Sequence, residues 1–162
     1  MTPSTGSGIK VVFVCWGNIC RSPMAERVAR GHAAREGLTG VTFSSFGVSS
    51  EETGNPIDRR ARTVLDKAGY DSSDHRARRI TASDIADADL VIGLERLHTD
   101  RMRQLAPDAE YHLLTDFDPA AEPGSGIDDP WYGDAAGFND TLAAIEAAMP
   151  GVLARVRELQ HR

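Results

Sequence analysis

The chain has 162 residues, enough to bury a core in one domain without disulfides or metals, and carries a formal charge of −6 from 18 basic and 24 acidic side chains. That balance excludes a general nucleic-acid binder and leaves room for a local basic pocket. Cys15 and Cys20 are the only cysteines, so they build neither a disulfide framework nor a four-cysteine zinc site and read as chemistry instead.

Residues 1 to 8, MTPSTGSG, hold almost nothing that packs and read as a flexible tail ahead of a single domain, 9 to 162. The tail lacks the basic start and apolar stretch of a signal peptide, and no run approaches the roughly 18 apolar residues of a membrane span. The expectation is a cytoplasmic protein with no membrane or nucleic-acid partner, exported only by a non-classical route if at all. Of the basic residues only Lys10 and Lys67 are lysine, the codon bias of a GC-rich bacterial genome.

Lys10 to Val14, ending at Cys15, is β-branched with Phe13 inside it and predicts a strand buried on both faces. Ser22 and Pro23 then offer an N-cap and a first-turn proline, with Glu26 favouring the start of a helix that runs to about Arg35 and stops near Gly37. Val41 to Phe46 reads as a second strand. Pro56 and Asp58 open another helix, on which Ile57, Ala61, Val64, Leu65 and Ala68 share one face before Gly69 ends it.

Thr81 to Asp84 predicts a short capped helix, and Leu90 to Leu94 a third buried strand. His98 to Leu105 reads as helix, Glu110 to Leu114 as a weaker fourth strand. Residues 115 to 135 hold three prolines and three glycines and read as a long functional loop. The last helix carries Phe138, Leu142, Ile145, Met149, Val152 and Val156 on one face, with a kink expected at Pro150-Gly151. Alternating strands and helices imply a three-layer α/β fold: a four-stranded parallel sheet with helices on both faces. Binding loops of such folds lie at the carboxyl ends of the strands.

The loop after the first strand, VCWGNICRSP, is at that place. Five residues separate Cys15 from Arg21 directly before a helix start. Backbone amides curled above a positive helix end make a concave site for a tetrahedral oxyanion. Gly17 and Asn18 tolerate the left-handed angles of such a curl. The same field favours the nucleophilic thiolate of Cys15, and Arg21 can hold two phosphoryl oxygens in a fork.

CWGNICRSPMAE resembles the active-site loop of the low-molecular-weight protein tyrosine phosphatases, and DDPWYG, residues 128 to 133, resembles their acid loop. GNPIDRRA and HRARRIT match middle segments of the same family, so the resemblance covers residues 10 to 157 in order. It implies metal-free, cofactor-free hydrolysis of phosphotyrosine in proteins, with Cys15 as nucleophile, Arg21 on phosphate and Asp129 as general acid and later base. Asp128 is the rival acid, but only Asp129 directly precedes Pro130.

By the same resemblance Trp16, Gly17, Asn18, Ile19 and Cys20 form the phosphate loop, and Asn18 locks it through Ser45 and His75. Ser22 either caps the helix or donates to the thiolate, two roles for one hydroxyl. Cys20 either packs behind the loop or closes a protective disulfide with Cys15. Trp131 and Tyr132 supply an aromatic wall for the substrate ring. Tyr132 is also a candidate acceptor for a tyrosine kinase.

Five positions depart from the family pattern, one of them Trp131, which replaces the first tyrosine of the acid loop. Trp16 stands where Leu or Thr is usual and Glu51 where many relatives carry an aromatic residue, so Trp16 is expected to replace a missing wall. Phe46 follows Ser45 in place of a small residue, and Glu95 follows the third strand in place of Asp. Ile19 stands where bacterial protein-arginine phosphatases of this fold place Thr, which favours phosphotyrosine. Two rivals remain: an arsenate reductase of the same fold, which in its thioredoxin-coupled form needs cysteines that this chain lacks after Cys20, and a non-catalytic phosphate-binding adaptor.

Overall fold

Strand β1, Ile9–Cys15, owes its two-sided burial to alternation: Val11, Phe13 and Cys15 enter one core and Val12 and Val14 another. The computed structural model describes residues 8–162, so the expected flexible tail lies outside the described residues except for Gly8. Around β1 stand β2, Val41–Gly47, β3, Leu90–Gly93, and β4, His112–Leu113, in the order β2-β1-β3-β4. All pairings are parallel, and the register sets Cys15 beside Gly47 and Val14 beside Gly93.

The chain thus leaves β1 in one direction for β2 and in the other for β3. A crevice opens where the two crossovers part, at the carboxyl end of β1. Helices α1, Arg21–Glu36, α2, Arg59–Lys67, and α5, Ala136–Gln160, bury their apolar faces in the larger core. Helices α3, Ala82–Asp87, and α4, Arg96–Leu105, close the smaller core through Ile85 and Met102. This is the expected three-layer α/β architecture.

Several local expectations are corrected. Helix α1 begins at Arg21 with Cys20 in the cap position and no side-chain cap, because the Ser22 hydroxyl is drawn into the loop beneath it. Glu26 does not serve the helix start: buried, it accepts from Ser45 Oγ at 2.8 Å and from Arg27 Nε at 2.8 Å. Helix α2 is capped by Asp58, whose carboxylate accepts from the Arg60 amide at 2.8 Å, and it ends before Ala68, which is therefore exposed.

Helix α4 starts two residues earlier than predicted, since His98 Nδ1 accepts the Glu95 amide at 3.0 Å. Strand β4 is only two residues long: Asp116 takes the Leu113 amide at 2.9 Å and turns the chain into a 3-10 helix, Leu114–Phe117. Helix α5 runs unbroken through Pro150. At Gly151 a Cβ would lie 2.1 Å from the Phe117 carbonyl oxygen, so the glycine admits that chain segment against the helix.

Candidate active site

The loop between β1 and α1 is curled by Asn18, which adopts φ 61°. Gly17 does not share the left-handed conformation; its bareness serves instead where Glu52 Cγ would meet a Cβ at 3.2 Å. Among the described residues no protein group accepts from the amides of Gly17, Asn18, Ile19 or Cys20. Four adjacent donors above a helix N-terminus are thereby free for an oxyanion.

Beneath the loop the Asn18 side chain is fully buried, with both amide hydrogens and the amide oxygen bonded. Its Nδ2 donates to Ser22 Oγ at 2.9 Å and to Ser45 Oγ at 3.0 Å, while Oδ1 accepts from the Arg78 amide at 3.0 Å. His75 Nε2 donates to the Asn18 carbonyl at 2.6 Å. Burial pushes the His75 pKa down, so it serves as a neutral donor. Ser22 Oγ lies 3.0 Å from Cys15 Sγ and also reaches the Phe46 carbonyl at 3.2 Å. Ser22 and Ser45 therefore support the loop rather than line its mouth.

Arg21 is held by groups from two other chain segments. Its Nη1 donates to the Ile127 carbonyl at 2.7 Å and pairs with Glu95, and Nη2 lies 3.5 Å from Asp129 Oδ2. His98, with no exposed surface, also approaches Nη2 at 3.5 Å. Burial, and then the Arg21 charge, lower its pKa to about 3. A neutral ring thus packs against the guanidinium without adding charge.

Cys15, Arg21 and Asp129 border one cavity of about 190 Å³. Trp16, Ile19 and Cys20 border it from the loop, Glu51 and Glu52 from the segment after β2, and Trp131 and Tyr132 from the acid segment. The Trp16 ring lies under the Arg101 guanidinium at 5.0 Å. Asp128 is not among the walls; it borders a neighbouring groove with Asp118 and Asp140. Cys20 packs into the larger core, and burial, followed by the Asp58 charge, raises its pKa and holds it as a thiol.

Sequence reasoning missed the roles of four residues. Gly47, at the end of β2, is where a Cβ would meet the Trp16 carbonyl oxygen at 2.6 Å, so only glycine lets the loop settle there. Its signal was a lone glycine closing the strand run Val41 to Phe46. Glu95, noted only as a departure from the family pattern, and His98 meet Arg21, and Arg60 meets Trp131, across chain segments tens of residues apart, pairings with no local signal. Among the described residues no group of three or more His, Cys, Asp or Glu side chains is placed to hold a metal ion. No helix among them is long and apolar enough to cross a membrane.

A thiol in an anion cradle at the carboxyl edge of a parallel sheet, faced by an arginine and an aspartate, defines an α/β protein built to handle phosphoryl groups. The family model for low molecular weight phosphotyrosine protein phosphatase matches residues 10–162, and the chain belongs to that family of hydrolases. It is 42% identical over 155 residues to the low molecular weight protein-tyrosine-phosphatase of Streptomyces coelicolor, covering 92% of this chain and 94% of that one. Against low molecular weight protein-tyrosine phosphatase A of Mycobacterium tuberculosis it is 40% identical over 147 residues, 89% of either chain.

Among solved structures, YfkJ from Bacillus subtilis superposes with a TM-score of 0.87 at 28% identity, over 96% of this chain and 98% of that one. The protein tyrosine phosphatase of Entamoeba histolytica does so with the same TM-score and identity, over 94% and 99%. The activity is thus protein tyrosine phosphatase, acting on phosphotyrosine in proteins.

Proposed function

We propose that the hydrolysis runs in two steps through a cysteinyl-phosphate. The Cys15 thiolate attacks phosphorus, the bond from phosphorus to the tyrosyl oxygen breaks, and the Asp129 carboxyl delivers its proton to the leaving phenolate. Asp129, now a carboxylate, takes a proton from water; that water attacks phosphorus, the S–P bond breaks, and phosphate leaves the restored thiolate. Arg21 and the free loop amides stabilise the three equatorial oxygens in both steps. The observation that carries this reading is the meeting of Cys15, Arg21 and Asp129 on one small cavity, although Asp129 lies 108 positions beyond Arg21 (129 minus 21).

Ser22 has one proton and two acceptors in reach. As thiol, Cys15 can donate to the Ser22 oxygen while Ser22 donates to Phe46; as thiolate, Cys15 takes the Ser22 proton as its hydrogen bond. Asn18 and the buried Ser45–Glu26 pair hold that hydroxyl in place. Trp131 and Tyr132 face Trp16 and Glu51 across the mouth and select a phenyl ring by stacking.

The complete site within one chain supports a monomer, and a nucleophilic thiol needs reducing surroundings, which supports a cytoplasmic location. Tyr132 is 88% exposed and open to a tyrosine kinase. The test of the mechanism is phosphate release from a phosphotyrosine peptide in EDTA at about pH 6. Cys15→Ser abolishes it, and Asp129→Asn reduces it by about 100-fold or more. A well-folded parent without turnover would instead favour arsenate reduction or phosphate-dependent binding.

A further inference from the structure

Arg60 does not border the catalytic cavity, yet it is tied into both loops that do. Asp58 begins the chain of contacts: its amide donates to the Ile19 carbonyl of the phosphate loop at 2.8 Å. The Asp58 carboxylate then takes Arg60 in a fork, Nε to Oδ1 at 3.1 Å and Nη2 to Oδ2 at 3.2 Å. The remaining nitrogen, Nη1, donates to the Trp131 carbonyl at 3.3 Å. The guanidinium also lies 5.0 Å from the Trp131 ring and 4.6 Å from the Phe138 ring at the start of α5.

The acid segment's other ties are the buried Pro130 and the Asp129 carboxylate, 3.5 Å from Arg21 Nη2. Among the described hydrogen bonds, the Trp131 carbonyl is the one main-chain atom of residues 128 to 133 bonded outside that segment. Gly133 bonds back to Pro130, and the Trp131 amide bonds back to Asp129 Oδ1 at 3.0 Å. That last bond links the Asp129 carboxylate to the backbone that Arg60 holds, while its other oxygen lies 3.5 Å from Arg21 Nη2.

We infer that Arg60 is a positioning residue that clamps the acid segment to the phosphate loop and so sets Asp129 over the leaving oxygen. This rests on the reading of Asp129 as general acid. A planar fork is required, since two of its nitrogens serve Asp58 while the third serves Trp131; a lysine keeps the charge but not this geometry. The aromatic faces on the guanidinium add a cation–π contribution that depends on the same placement.

The experiment compares kcat/KM on a phosphotyrosine peptide, whose leaving phenol needs a proton, with kcat/KM on p-nitrophenyl phosphate, whose leaving group needs one far less. Arg60→Gln and Arg60→Lys are each expected to lose about tenfold or more on the peptide and under about threefold on the activated ester, a share of what the acid itself contributes. In an Asp129→Asn background Arg60→Gln should cost nothing further on the peptide, because the group it positions is gone. Equal losses on the two esters, no loss on either, or full additivity with Asp129→Asn would overturn the clamp.

Should Arg60→Gln fail to fold, Arg60→Lys carries the same comparison and the same double mutant. Asp129→Asn measured alone tells the two readings apart. If it loses equally on both esters the acid assignment falls, and the clamp with it; if its loss is confined to the peptide while the Arg60 variants lose equally on both, only the clamp falls.

Discussion

Trp16 borders the mouth of the Cys15 cavity. Its ring is half-buried, packs against the smaller core and is covered by the Arg101 guanidinium, so it is braced and not free to swing. Glu51 beyond it is exposed and offers no apolar surface. Trp16→Leu is therefore expected to lower kcat/KM on phosphotyrosine peptides by roughly two- to tenfold, the worth of one aromatic contact. Unchanged peptide turnover would remove Trp16 from the wall.

Cys20 belongs to the same scale. Held as a thiol by burial and nearby acids, it borders the cavity of Cys15. In the disulfide reading, peroxide would oxidise the Cys15 thiolate to a sulfenic acid, and condensation with the Cys20 thiol would release water and form a disulfide. Dithiothreitol should then restore activity to the peroxide-treated parent and not to Cys20→Ala. Equal recovery in both would show that Cys20 only packs.

Among elements, the junction of β2 with the phosphate loop is the most exacting. Gly47 pairs with Cys15 in the sheet, and the loop folds directly across it. A methyl group there would have to displace the backbone at Trp16, Gly17 and Asn18, three of the residues that shape the cradle. Gly47→Ala is thus expected to weaken inhibition by inorganic phosphate and to lower kcat/KM by about tenfold or more, since ångström-scale misplacement costs up to about a hundredfold. Phosphate inhibition as strong as in the parent would show that the loop yields without loss. Element ends were the least legible part of the sequence. Ser22-Pro23 has the form of a helix cap, yet the fully buried hydroxyl bonds within the site to the Cys15 thiol and the Phe46 carbonyl, while the Met24 amide is served by the Cys20 carbonyl at 3.1 Å.

For the whole molecule the buried histidines couple folding to pH. His98 protonates at about 3 when folded against 6.5 ordinarily, because burial and Arg21 disfavour its charge. As pH falls below about 6.5 the unfolded chain binds the proton and the native chain does not, so stability present at neutral pH is progressively lost toward the folded value. His98 alone accounts for about 2 kcal/mol between pH 7 and pH 5. Urea unfolding at the two pH values should show this loss, and His98→Asn, whose amide oxygen can still accept the Glu95 amide, should shrink it. An undiminished loss in that variant would assign the acid sensitivity to other groups.

The order of elements, the α/β class and the cradle were legible in the chain alone, because each rests on contiguous residues: a β-branched run, Cys15 and Arg21 with five residues between them, and a helix start. The sequence also singled out Asp129, through the short run DDPWYG and its resemblance to a known acid loop. Tertiary structure alone decided that Glu26 would be buried under Ser45, that Glu95 and Ile127 would pin Arg21, and that Arg60 would reach Trp131 from 71 positions away. These contacts join segments that meet only when the parallel crossovers close. Helical and strand periodicity report which face of an element is buried; they carry no record of which distant side chain will be waiting there.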